Sequence, residues 1–346
     1  MALITTSVAI DPGTEYTRIY RAGKGLVLSE PSVCAVSLGE AGEVFFGTAA
    51  LELLGRAPGK MAAFTPITNG VISEVKLTAD MLADFIDRAM GKSFIRRMQA
   101  VVCVPVNATE LESSAMEEAV RNAGAFRVKL IEKPLASAIG AGLPVNQCRG
   151  SMICDIGAGT ADVAILSCGG VVTSRSVNTA GREMDQSLIR LLRETRGIVI
   201  GERTAERLKC ELACADEPTE NSVIVRGRSM STGLPTSCEV SSKEVCLAVR
   251  PMIQNILMAI GETLSDTPPE LAGDLLDSGI TLTGGVARMK GLASIVSEMT
   301  GLNVTVADDP ELCAVVGAGR AVERMTDVRI NFPELPALPV RASADF

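Results

Sequence analysis

Ser151-Met152-Ile153-Cys154 runs into Asp155-Ile156-Gly157-Ala158-Gly159-Thr160, and Ala161-Asp162-Val163-Ala164-Ile165-Leu166 follows. An apolar run, a tight acidic Gly/Thr turn and a second apolar run are the pattern of a β-hairpin. Near the start of the chain the pattern recurs. There Ser7-Val8-Ala9-Ile10 leads into Asp11-Pro12-Gly13-Thr14, and Thr17-Arg18-Ile19-Tyr20 returns. One Asp-x-Gly-Thr turn is ordinarily structural. Two, each between β-runs and about 140 residues apart, predict two similar domains facing each other.

Such a turn also has a chemistry. Glycines let backbone N–H groups approach phosphate oxygens closely, and a threonine hydroxyl adds a donor. The carboxylate can hold Mg²⁺, directly or through water. A third glycine site, Gly279-Ile280-Thr281-Leu282-Thr283-Gly284-Gly285-Val286-Ala287, reads as a strand entering Gly-Gly before a helix. A flat ring or a phosphate can lie against such backbone; a plain strand-to-helix turn is the equal alternative.

Outward from the hairpins the pattern is α/β. Gln99–Val104 predicts an apolar strand ended by Pro105, and Thr109 to Glu112 has capping-box spacing for a helix that stops near Gly124. Val128–Ile131 predicts a strand and Leu135–Ala141 a helix. After the second hairpin come a strand at Val171–Val177 and helices at Glu183–Arg193 and Glu202–Ala213. Strands at Ser222–Arg226 and Ser237–Val240 flank a Gly/Ser/Pro-rich stretch, and Lys243–Leu264 reads as a long helix kinked at Pro251. Gly279–Thr283 and Asn303–Val306 are further strands, Met289–Met299 a helix and Cys313–Arg324 a closing helix. The tail after Met325, with Pro333, Pro336 and Pro339, has no helical period and reads as extended or disordered.

Composition bounds the possibilities. The 346 residues suit two lobes better than one core. A net charge of −8 makes nucleic acid a poor default partner. Histidine is absent, which excludes His-dependent triads, His bases and His-containing metal sites. The ten cysteines are scattered, several inside apolar runs such as Val101-Val102-Cys103-Val104, and read as small buried hydrophobes in a reducing compartment. Cys210 and Cys214 are spaced to face one another on a helix, without a second pair for zinc. No run of about 20 uncharged apolar residues predicts a transmembrane helix, and the N-terminus does not read as a signal peptide.

Asp11–Thr14 resembles phosphate motif one of the actin, sugar kinase and heat-shock chaperone superfamily; Asp155–Thr160 resembles phosphate motif two, and Ser278–Ala287 the adenosine motif. Glu132-Lys133-Pro134-Leu135-Ala136-Ser137-Ala138-Ile139-Gly140 and Val316-Gly317-Ala318-Gly319-Arg320-Ala321 resemble its two connecting helices. Leu28–Val33, Leu54–Gly59, Asn69–Ile72, Ile139–Pro144, Val172–Ser176 and, most specifically, Ile200-Gly201-Glu202-Arg203-Thr204-Ala205-Glu206 narrow the resemblance to the MreB-type bacterial actins over about residues 5–325.

The resemblance implies an α/β actin-like ATPase fold. Each of two similar lobes would carry a five-stranded mixed sheet with flanking helices, around a nucleotide in the central cleft. Residues 1–145 plus about 317–325 would form one domain (small subdomain about 30–70) and 146–316 the other (small subdomain about 182–243). It implies ATP and Mg²⁺ as cofactors, with Asp11 and Asp155 flanking the metal and the phosphate chain and Asp155 also placed to orient water. Gly13, Thr14, Gly157, Ala158, Gly159 and Thr160 would lie around the phosphates, with Glu206 and Lys209 near the ribose or adenine and Gly284, Gly285 and Met289 lining the other side. As partners it implies further copies of the chain in a filament, the inner face of the cell membrane and cell-wall synthesis proteins. The expected place is the cytoplasm, in association with the membrane.

The chain also departs from the family pattern. Where Glu-Glu-Pro is usual, and the glutamate before proline positions the attacking water, Glu132-Lys133-Pro134 stands here. A charged lysine cannot accept water's proton. It can pair with a γ-phosphate instead, so the expectation is nucleotide binding with slow or absent hydrolysis, unless Glu132 shifts into the role. Arg18 replaces an apolar residue and either reaches the β-phosphate or points to solvent. Pro12 removes a backbone donor, and Ala158 excludes a comfortable positive φ. Lys92–Met98, with Phe94 and Ile95 among three cations, suits docking on an anionic bilayer. Two decoys are set aside: Gly91-Lys92-Ser93 lacks the earlier Walker glycine, and Gly140-x-Gly142 follows a helix pattern rather than a strand. A non-polymerising, hydrolysis-dead scaffold that modulates another filament is the alternative; a chaperone would need a substrate domain, and a kinase a substrate-side carboxylate.

Overall fold

The computed structural model describes residues 5–37, 42–54, 61–91 and 97–326. Phe94, Ile95 and the proline-containing tail lie outside these residues.

Each hairpin nucleates a five-stranded mixed sheet of the same plan. In the first the strand order is Ala125–Glu132, Arg97–Val104, Thr5–Pro12, Tyr16–Arg21, Gly25–Pro31. Its hairpin strands are antiparallel, while Arg97–Val104 runs parallel to both its neighbours. In the second the order is Gly170–Val177, Ala161–Ser167, Ser151–Ile156, Ile280–Thr283, Val304–Val306, again antiparallel through the hairpins and parallel beyond. The echo extends to register: Asp11 lies opposite Arg18 and Asp155 opposite Asp162, the same offset in both.

Burial explains the strand sequences. Parallel strands covered on both faces read as continuous apolar runs, and Val101, Val102, Cys103 and Val104 are all buried. Val8, Ile10, Ile19 and Val102 pack with Met81 and Phe85 of helix Val75–Met90. Ile156, Val163 and Ile165 pack with Leu188 and with Val249 and Ile253 of helix Ser242–Ser265. That helix passes through Pro251 unbroken. It is long and apolar enough to cross a bilayer, yet its apolar stripe belongs to this core.

Three-stranded sheets flank each lobe, one of Val44–Phe46, Cys34–Ser37 and Met61–Phe64, the other of Ile198–Val199, Ser222–Ser229 and Pro235–Ser241. The expected capping box is present: Thr109 accepts from the Glu112 N–H and the Glu112 carboxylate accepts from the Thr109 N–H. The helix expected from Met289 starts later, at Leu292, because Gly285–Arg288 tightens into a 3-10 turn.

The cysteines also differ from expectation in two places. Cys148 and Cys168, expected as free thiols, are joined in a disulfide with Cα atoms 4.5 Å apart. Cys214 lies against Cys246, Sγ to Sγ 2.8 Å, rather than facing Cys210. Helix Glu202–Leu212 ends before Cys214, which turns into the second lobe's interior, whereas Cys210 stays on the helix and exposed.

Candidate functional site

The two hairpin turns face one another across a cleft of about 520 Å³. Asp11, Gly13, Thr14, Arg18, Lys133, Asp155, Gly157, Ala158, Gly159, Thr160, Glu206, Lys209, Gly284, Gly285 and Met289 all line it. Glu132 does not. It stands just before helix Lys133–Gly140 without making a side-chain capping bond, and burial raises its carboxyl above the ordinary range.

The turns are held by a few specific bonds. The Thr14 Oγ1 accepts from the Gly70 N–H at 3.0 Å, which leaves its own proton free to point into the cleft. Gly159 comes so close to Thr14 that a Cβ there would stand 2.5 Å from Thr14 Oγ1 and 2.8 Å from Asn69 Cα. The second turn rests on the start of helix Gly181–Arg196, whose Gly181 and Arg182 N–H groups donate to the Gly157 and Ala158 carbonyls at 3.2 and 2.8 Å. Ala158 is asked for no positive φ. Thr160 donates to Asp162 Oδ2 at 3.0 Å, so its hydroxyl proton is committed within its own turn. On the far wall Gly284 has φ 83°, and a side chain there would collide with the Ile156 carbonyl.

Charge concentrates at one end. The Lys133 ammonium, on the first residue of its helix, lies 4.0 Å from Asp11 Oδ1 and 3.9 Å from Asp155 Oδ2. Burial opposes its charge, but Asp11, Asp155 and Asp162 outweigh that and raise its pKa above the usual lysine range. Burial pushes Asp155 up, against the pull of Lys133 and of the Ser137 hydroxyl, which donates to Asp155 Oδ2 at 2.8 Å. Arg18 stacks over the Tyr16 ring at 5.4 Å, and its buried Nε has no hydrogen-bond partner among the described residues. Lys209 donates to Asp185 Oδ2 at 2.7 Å and to the Gly181 carbonyl at 3.0 Å. Burial raises Asp185 to about 6 despite that pairing.

The donor set tests the expected Mg²⁺. Magnesium binds oxygen at about 2.1 Å, so an ion on either carboxylate oxygen comes within about 6 Å of the Lys133 ammonium. There a divalent charge and an ammonium repel by roughly 5 kcal/mol at an effective dielectric of about 20. Asp11 and Asp155 with Lys133 between them fit one cation, the lysine's own, and do not fit a divalent ion beside it.

Sequence reasoning missed Arg182, Ser137 and Asp185. Their contacts join segments far apart in the chain, and no local pattern marks them. Ser137 was within reach, since it lies in the quoted connecting helix.

A profile of the MreB/Mbl protein family matches residues 5–330. The chain belongs to the MreB/Mbl family. It is 43% identical over 329 residues to the cell shape-determining protein MreB of Escherichia coli (strain K12), covering 93% of this chain and 94% of that one. It is 36% identical over 324 residues to the cell shape-determining protein Mbl of Bacillus subtilis (strain 168), covering 93% and 97%. The crystal structure of MreB 5 of Spiroplasma citri bound to AMPPNP superposes with a TM-score of 0.88 at 30% identity, over 93% of this chain and 97% of that one. Both lobes of this MreB/Mbl chain therefore have the actin-like architecture expected from the two hairpins, with mixed five-stranded sheets. The MamK double helical filament shares the fold at a TM-score of 0.80 and 22% identity.

Proposed function

We propose that this MreB/Mbl chain is an ATP-binding cytoskeletal protein. It polymerises into filaments on the inner membrane face and organises cell-wall synthesis for rod-type cell shape, with hydrolysis weakened by Lys133. The observation that carries the nucleotide reading is the pairing of the two Gly/Thr turns across one cleft, with Arg18 and Lys133 supplying positive charge where a polyphosphate would lie. The family likeness to cell shape-determining proteins and to an AMPPNP-bound neighbour supports it.

Weak hydrolysis follows from what faces the cleft. Lys133 lines it where the family resemblance calls for a water-positioning carboxylate, and Glu132 does not line it. A general base must come within hydrogen-bond reach of the water it activates. The domains are taken as 1–145 plus about 317–325, and 146–316, with the hinge between them coupling nucleotide to assembly.

High-speed pelleting with ATP, ADP or no nucleotide, with phosphate release read from the same tubes, tests this reading. Sedimentation with ATP and little phosphate is expected. Nucleotide binding without sedimentation would favour a hydrolysis-dead scaffold that modulates another filament.

A further inference from the structure

The metal expected at the phosphate end conflicts with the side chains found there. Asp11 and Asp155 are both buried, and the space between them is taken by the Lys133 ammonium. That ammonium also faces the second turn: a Cβ on Gly157 would stand 3.7 Å from Lys133 Nζ. Its position is fixed from behind, because Lys133 and Pro134 begin a helix whose next turn donates through Ser137 to Asp155. Arg18, in register with Asp11, adds a second cation whose buried Nε has no hydrogen-bond partner among the described residues and whose side chain lines the same cleft.

We propose that Lys133 serves as a built-in cation in place of a divalent metal, so that this cleft takes its nucleotide metal-free. The proposal rests on the nucleotide-binding reading above and deepens it by naming the ligand's form. A metal nucleotide is normally neutralised by the ion that bridges its phosphates. Here Lys133 and Arg18 together balance the two aspartate charges, the lysine presents its donors to the phosphate oxygens, and Arg18 offers a planar fork. Lysine acts as a point charge and tolerates several phosphate geometries. The same site should therefore hold a nucleoside diphosphate as well as a triphosphate without metal.

The test is calorimetric titration of the full chain with ATP and with ADP, once in excess EDTA and once in millimolar MgCl₂. The expected result is binding in EDTA that MgCl₂ does not tighten, because magnesium draws the free nucleotide into its own complex and only the metal-free form enters this cleft. In Lys133→Gln, binding in EDTA should weaken at least tenfold and recover when MgCl₂ is added, while Lys133→Arg should bind in EDTA as wild type does. The spin signal of Mn²⁺, added with ADP, gives a second readout: wild type should leave Mn²⁺ free, and Lys133→Gln should immobilise it. Wild-type binding that appears only with MgCl₂, or Mn²⁺ immobilised by wild type, overturns the proposal while leaving the nucleotide reading intact. Absence of binding in both buffers removes the nucleotide reading itself. The wild-type arms decide the question even where a variant fails to fold.

Discussion

Arg182 of the second lobe reaches across the cleft to Glu15 of the first, Nε to Oε2 3.1 Å. The same guanidinium donates to the Thr14 carbonyl at 3.1 Å and to Thr65 Oγ1 at 3.2 Å. Its own backbone N–H holds Ala158 of the second turn. One residue thus ties one Gly/Thr turn to the other across the cleft, through a fork that a lysine cannot reproduce.

The first prediction concerns this latch. The ion pair is partly exposed, with side-chain exposures of 30% and 31%, so its charge alone is worth little. The three-way geometry is what Arg182→Ala removes. Dissociation of a fluorescent nucleotide, followed by stopped flow, should accelerate roughly fivefold to tenfold, equivalent to about 1 kcal/mol. Arg182→Lys should behave nearly as Ala. A rate within twofold of wild type would mean the latch does not hold the lobes together.

A second prediction concerns the pair of helices beneath the cleft. Lys133–Gly140 and Cys313–Thr326 pack with almost no side chain between them: a Cβ on Gly317 would run into the Ala136 carbonyl, and one on Gly140 into the Cys313 carbonyl. Arg320 then donates to the Ile139 carbonyl at 2.7 Å and to Gly140 at 3.1 Å, closing the shorter helix's end. Backbone cannot yield as a flexible side chain can, so Gly317→Ala should lower unfolding stability by about 3 kcal/mol. Gly261 sits in helix Ser242–Ser265 with nothing within 4 Å of its would-be Cβ. Gly261→Ala should therefore stabilise by about 0.5–1 kcal/mol. Urea midpoints for the two variants should move in opposite directions; a shared direction would show that helix–helix distance is not the determinant.

How much of this could be read from the sequence follows from distance along the chain. Each hairpin is local, so Asp11–Thr14 and Asp155–Thr160 announced themselves, and with them the two-lobed plan and the two turns that face each other across the cleft. The Thr109–Glu112 capping box was legible for the same reason. Ser241–Glu244 forms a second one that went unread, because its Ser sits at the end of a strand. Contacts that need the fold were not legible. Arg182 meets Glu15 only once the lobes face each other, and Cys148 meets Cys168 only once the second hairpin has closed. Lys133 stood out as a departure from the family pattern, but its seat between two aspartates is a fact of three dimensions.

The third prediction returns a carboxylate to the cleft. Lys133→Glu places a proton acceptor where the ammonium stood, next to the two Gly/Thr turns. In magnesium-containing buffer, phosphate release should rise at least tenfold, within the range that a positioned base contributes. The same variant should be less stable without metal, since it adds a carboxylate to the buried Asp11, Asp155 and Asp162. Unchanged turnover in a folded variant would mean that Lys133 does not limit hydrolysis.

The last prediction is a pH dependence with a definite sign. Asp185 is 8% exposed and one of its oxygens, Oδ1, has no hydrogen-bond partner among the described residues. Burial outweighs the attraction of Lys209 and, helped by Glu206 and Glu15, raises its pKa from 3.8 to about 6. The folded protein therefore holds this proton more tightly than the unfolded chain does. The resulting stabilisation is complete below about pH 4 and is lost as pH rises through about 6, amounting to about 3 kcal/mol by pH 7. Asp185→Asn cannot titrate. The stability of wild type relative to that variant, from urea unfolding, should fall by about that amount between pH 4 and pH 7. A difference that stays flat, or that grows with pH, would mean that the Lys209 ion pair dominates the site and holds Asp185 ionised. Because Lys209 lines the cleft and its ammonium is bound to Asp185 Oδ2, the same titration should weaken its tether below pH 6. Nucleotide affinity measured across that range would then change in wild type and not in Asp185→Asn.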